Sequence, residues 1–205
     1  MILLIVGCAR TPSGILLTQK RELTFQIQFD APINEAYYYF IAIDTNTDNG
    51  KYPTPIFPSL LTGDRWVTGG VTHFIRYYQG KYTLYKVNNL DTFDVEPIGA
   101  PIRFDRSDPS SLVFTIDLND IQATSQSIEV NFITANQLGT PTRFLDALGK
   151  SGTEFLEIGI TNDQTIINTG VETIGDVLNE NREIQPSTDL IKPLDIKDFR
   201  IQVDV

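Results

Sequence analysis

Histidine, methionine, tryptophan and cysteine each occur once in the 205 residues. One cysteine excludes an intrachain disulfide, and one histidine beside it excludes a Cys/His zinc centre. The histidine, His73, sits inside an apolar stretch between Thr72 and Phe74 and reads as a structural residue rather than a base. No Gly-x-Ser-x-Gly elbow and no glycine-rich phosphate loop occur. No run reaches the roughly 18–20 apolar residues of a spanning helix. Basic residues are few: 16 against 26 acidic ones, for a net charge of −10. That balance argues against nucleic acid, whose affinity comes largely from lysine and arginine on phosphates. The chain is therefore expected to be no enzyme. A glycosidase needs only two carboxylates, and nothing in the sequence singles out one pair among 26 acidic residues.

What is present is strand. Leu23-Thr24-Phe25-Gln26-Ile27-Gln28-Phe29 alternates strictly between apolar and polar residues, and Phe199-Arg200-Ile201-Gln202-Val203 does the same at the other end. Two half-buried strands of this kind predict neighbours in one sheet. Tyr37 to Ile43 is apolar on both faces, as a central strand is. Val71–Tyr78 and Lys81–Val87 flank Gln79-Gly80, a tight hairpin. Ser111–Leu118, Ile128–Thr134 and Phe155–Ile160 add three more strands. Helix signals are confined to Pro141–Gly149 and Thr173–Asn181. The expected fold is all-β, a single antiparallel β-sandwich with long loops and one or two short helices.

The chain begins Met1-Ile2-Leu3-Leu4-Ile5-Val6-Gly7-Cys8. Ile5-Val6-Gly7-Cys8 resembles the lipobox of a bacterial lipoprotein signal, which implies acylation of Cys8 and removal of the residues before it. A secretory signal carries a basic n-region ahead of an apolar core of roughly 7–15 residues, and here no lysine or arginine precedes Cys8. This reading takes residues 1–8 as a signal truncated at its front, 9–21 as a tether and 22–205 as the β-sandwich domain. The partner is membrane lipid through acylated Cys8, and the location is the cell envelope, facing the periplasm or exterior. The alternative is an N-terminal strand with a chance cysteine.

Two groups of residues are candidates for binding. Asp44, Asn46 and Asp48, in Asp44-Thr45-Asn46-Thr47-Asp48-Asn49-Gly50, place oxygen ligands at alternate positions of a tight loop, as calcium sites do. The loop departs from an EF-hand, since Gly50 stands one position late and Pro55 stands where a bidentate glutamate is needed. Its other reading is a polar strand-end turn. The second group is aromatic, with Trp66, Tyr38 and Tyr78 as candidate ligand-binding residues. Rings on a sheet face or loop stack on sugars, and Trp66, in the glycine-rich Gly63–Gly70 stretch, is the expected exposed ring. The competing reading is that aromatics fill a sandwich core.

Three local features carry a family resemblance: Tyr39-Phe40-Ile41-Ala42-Ile43-Asp44 running into Thr45-Asn46-Thr47-Asp48, Leu112–Ile121, and Val130–Asn136 followed by Leu145–Gly149. Together they resemble the extracytoplasmic β-sandwiches of the DOMON and family 9 carbohydrate-binding-module group over residues 22–150. The resemblance implies a fold more than a ligand. The group's haem-ligating Met/His pair and paired sugar-clamping tryptophans have no counterpart, because the chain holds one Met and one Trp. The expected function is an exported, lipid-anchored, non-catalytic binding module at the cell surface, with carbohydrate or a surface protein as partner and calcium as candidate cofactor. The alternatives are a structural or adhesive envelope lipoprotein without a small-molecule site, and a glycan hydrolase.

Overall fold

The computed structural model describes residues 21–56, 66–138, 144–150, 152, 154–179 and 187–205. The chain folds as antiparallel sheets packed face to face, as the strand rhythm predicts. The smaller sheet has the order β13 (Gln164–Ile167), β15 (Ile196–Asp204), β1 (Glu22–Phe29), β9 (Ser111–Asp117) and β8 (Arg103–Asp105). The two chain ends are neighbours: Leu23 pairs with Val203, Phe25 with Ile201 and Ile27 with Phe199. Strict alternation sends Leu23, Phe25, Ile27 and Phe29 into the inter-sheet core and leaves Thr24, Gln26 and Gln28 outside it. Each such side chain contributes about 1.5–3 kcal/mol on full burial, so a one-residue slip of this strand is excluded.

The larger sheet runs β14 (Leu178–Asn179), β11 (Phe144–Ala147), β10 (Ser127–Ala135), β2 (Tyr38–Asp44), β5 (His73–Tyr78), β6 (Lys81–Asn89) and β7 (Asp94–Gly99). Strand β12 (Leu156–Gly159) also pairs with β10, on residues 127–130, while β11 pairs with residues 133–135. Gln79 and Gly80 both have positive φ, 51° and 73°, and make the two-residue hairpin turn between β5 and β6.

Strand β2 is apolar on both faces because both faces are covered. Tyr39, Ile41 and Ile43 enter the inter-sheet core. Phe40 and Ala42 pack in a second cluster with Trp66, Val67, Val71 and Phe74. The segment after Asp44 returns over the outer face as a small ribbon, β3 (Thr54–Pro55) on β4 (Val67–Thr68), and lays Trp66 onto Phe40.

Both expected helices are corrected. Phe144–Ala147 is strand β11, with every residue buried; ladder bonds to β10 and burial on both faces override its helical periodicity. Of the second expected helix, Thr173–Asn179 falls into turns, irregular chain and the short β14, and residues 180–181 lie outside the described residues. The one α-helix among the described residues, α1, is Thr188–Ile191. Pro193 prevents its extension.

Candidate ligand cleft on the outer sheet face

The proposed signal, Cys8 and tether residues 9–20 lie outside the described residues; Arg21, given to the tether, instead hydrogen-bonds into the domain, its guanidinium donating to the carbonyls of Ala123 and Ile160. Among the described residues no helix is long and apolar enough to cross a membrane.

Tyr38, Trp66 and Tyr78 do come together. They line one groove of about 330 Å³ on the outer face of the larger sheet, with Phe74, Arg76 and Phe93. The Tyr38 and Tyr78 rings stack at 4.1 Å with planes 5° apart, and Trp66 stacks on Phe40 at 3.7 Å. Trp66 is only 3% exposed. This corrects the expectation of an exposed ring: Trp66 and Val67 pack inward with Phe40, Ala42 and Phe74 in the second apolar cluster. Tyr38 and Tyr78 are half-buried and form the accessible rim.

Asp44 is fully buried, and its carboxylate closes its own loop. Its Oδ1 accepts the Asn46 N–H at 2.9 Å and its Oδ2 accepts the Asn49 amide at 3.3 Å, an Asx turn entering the short 3₁₀ turn Thr47–Asn49. Asn46 is exposed, and the Asp48 side chain lies outside the described residues. Burial raises the Asp44 pKa, opposed by those two hydrogen bonds.

Beside this loop, register creates something alternation alone does not reveal. Asp44 pairs with Glu129 across β2 and β10, and Glu129 pairs with Glu157 across β10 and β12. Three carboxylates thus stand in a row on adjacent strands, where directly opposed Cβ atoms are about 4.5–5.5 Å apart. Glu129 is 4% exposed, and its Oε2 is buried with no hydrogen-bond partner. Burial, then the charges of Asp44 and Glu157, push its pKa up to about 7. Glu157 is exposed and its Oε1 accepts the Ser127 hydroxyl at 2.9 Å.

Glu129 and Glu157 open into a cleft of about 580 Å³ that Thr47, Gln126 and Ser127 also line. One wall is a stacked ring pair, Tyr52 on Phe155 at 4.0 Å and 11°. Tyr52 is 43% exposed. Both rings are held by one buried side chain between β11 and β12 on the β10 edge. Asn131 Nδ2 donates to the carbonyls of Pro53 (2.8 Å) and Glu154 (2.9 Å), the chain neighbours of Tyr52 and Phe155, and its Oδ1 accepts the Leu148 N–H (3.1 Å). Two acceptors and one donor fix the orientation of this amide. Two glycines let the neighbouring chain approach. The Gly70 N–H donates to the Tyr52 carbonyl at 3.2 Å, and a Cβ on Gly69 (φ +84°) would stand 1.9 Å from that carbonyl oxygen.

The cleft therefore offers an aromatic face, acceptors of graded charge and neutral hydroxyl and amide groups. Of its members, only Thr47 falls within a stretch that the sequence marks as a site. The one local signal for the others is charge inside otherwise apolar strands, at Glu129 and Glu157. No known protein family matches this chain, and neither a curated protein nor a solved structure does.

Proposed function

We propose that this is a non-catalytic carbohydrate-binding module, anchored at the cell envelope through acylated Cys8 and taking its glycan on the outer face of the larger sheet. The observation that carries the reading is the cleft beside Tyr52 and Phe155. A half-exposed ring backed by a second ring presents a flat apolar face to the C–H side of a pyranose. Glu157, Gln126 and Ser127 stand near it as hydrogen-bond partners for hydroxyls. Small-ligand sites combine apolar walls and a few placed polar groups in this way, in volumes of about 300–1,000 Å³. The groove at Tyr38 and Tyr78 supplies a second aromatic rim on the same face. The envelope location rests on Ile5-Val6-Gly7-Cys8 and on a net charge of −10 that leaves acyl chains as the membrane contact.

The experiment is a glycan array followed by calorimetric titration of hits against the wild type and Tyr52→Ala. Binding weakened at least tenfold by the substitution supports the reading; an array without hits contradicts it. One observation favours a second reading, glycan hydrolysis. Glu129, raised to about 7, is about half protonated at neutral pH and shares the cleft with the exposed Glu157. Turnover of array hits that is lost in both Glu129→Gln and Glu157→Gln would establish that reading, and bound glycan recovered intact would reject it.

A further inference from the structure

A second set of carboxylates gathers at the β11–β14 side of the fold, away from the cleft. Asp146 lies in β11, Asp195 immediately precedes β15, and Glu172 and Asp176 lie in the loop between β13 and β14. One oxygen from each of Asp146, Asp176 and Asp195 lies within 4.8 Å of the other two. Oxygens at about 2.3–2.6 Å around one calcium ion are at most about 5 Å apart, a limit these three meet.

Backbone amides fix the orientation of these carboxylates. Asp146 Oδ2 accepts the Ile196 N–H at 2.7 Å, and Asp195 accepts the Gly175 N–H on both oxygens, at 3.0 and 2.8 Å. The independent sign of a missing ligand is Glu172. This side chain is 3% exposed; its Oε1 accepts the Gly149 N–H, and its Oε2 is buried with no hydrogen-bond partner. Glu172 stands beside the cluster, close enough for its charge to act on Asp146 and for those of Asp176 and Asp195 to act on it. Asp176 Oδ1 is buried without a partner as well. Protein interiors leave few such atoms unsatisfied.

Among the described residues, little nearby balances the charge. Asp30, Asp146, Glu172, Asp176 and Asp195 face one basic group among the described residues, Lys192, whose Nζ lies 3.8 Å from Asp30. Burial and mutual repulsion accordingly push Glu172 up to about 8 and Asp195 up to about 6, and hold Asp146 well above the usual carboxylate range.

We propose that Asp146, Asp176 and Asp195, with Glu172 behind them, form a calcium site that staples the Asn168–Val177 loop and the start of β15 to strand β11. It is separate from the Asp44 loop, whose carboxylate is taken up by its own turn, and it does not depend on the glycan reading.

The test is calcium titration of the EDTA-treated full chain at pH 7.5, read by calorimetry and by thermal melting. The expected result is one equivalent bound and a melting temperature that climbs with calcium, as linkage requires of a ligand held only by the native state. Asp176→Asn, in a half-buried loop residue, is expected to weaken affinity at least tenfold while the protein stays folded. Asp44→Asn is expected to leave affinity unchanged. No heat and no melting shift at millimolar calcium would overturn the proposal. So would an equal response to magnesium, or binding that survives Asp176→Asn and disappears in Asp44→Asn.

Discussion

Replacing Asn131 by alanine is expected to cost about 3 kcal/mol, from three hydrogen bonds each worth about 1 kcal/mol net. The bonds run to Pro53, Glu154 and Leu148. Pro53 and Leu148 are buried, so their backbone groups find no water when the amide is removed and the cost does not shrink by solvation. In a domain of this size each kcal/mol lowers the melting temperature by about 2–4 °C, which makes the expected drop about 6–12 °C. Thermal and urea denaturation measure it. Because the same amide holds the chain beside Tyr52 and Phe155, a weakened near-ultraviolet aromatic signal is expected in the folded variant. Asn131→Asp keeps the shape but loses the donor, and is expected to be at least as damaging at neutral pH. An alanine variant within 0.5 kcal/mol of wild type, with an unchanged aromatic signal, would refute the role given to this residue.

Trp66→Ala is expected to cost about 3–5 kcal/mol, the range for a large aromatic removed from a packed site; Trp66 is 3% exposed and stacked on Phe40. A loss below 1 kcal/mol in urea unfolding would put the ring at the surface. Burial, and the charge of Lys86, lower the His73 pKa from 6.5 to about 4, so the native state binds fewer protons there than the unfolded chain. Stability from this site is therefore full above pH 6.5 and lost as pH falls toward 4, by about 3 kcal/mol at most. His73→Gln is expected to flatten that slope in melts across the window. Glu129 has the opposite sign: its pKa is raised to about 7, so its contribution declines as pH rises from about 4.5 to 7. Glu129→Gln is expected to stabilise the protein at pH 8 relative to wild type, and an identical pH profile would contradict the assignment. Gly70→Ala is expected to dismantle the cleft wall, since its Cβ would stand 2.0 Å from Asp44 Oδ2 and 2.4 Å from the Lys51 carbonyl.

The features legible in the sequence are those set by local period. Alternation in Leu23–Phe29 and Phe199–Val203 identifies both end strands, and their shared apolar face makes adjacency the economical arrangement. Double-sided apolarity places β2 in the sheet centre, and Gln79-Gly80 marks a hairpin whose turn needs two positive φ values. Phe144–Ala147 misleads because helical spacing and a short, fully buried strand look alike over four residues. Trp66 misleads because glycine-rich surroundings suggest exposure, yet Trp66 and Val67 themselves cover an apolar sheet face. The row Asp44, Glu129, Glu157 and the cluster Asp146, Asp176, Asp195 depend on pairing between distant segments. Neither has a spacing that a linear motif would record. The Asn131 clamp belongs to the same class: it needs two strands sharing one edge of β10.

The most direct measurement of the central claim is the affinity of one array-selected oligosaccharide for wild type, Tyr52→Ala and Trp66→Phe, by calorimetry at pH 7. Tyr52 is exposed in the cleft and Trp66 is buried beneath the neighbouring groove. The account predicts at least a tenfold loss in Tyr52→Ala and wild-type affinity in Trp66→Phe. Wild-type affinity in Tyr52→Ala, or no oligosaccharide bound by the wild type, would contradict it.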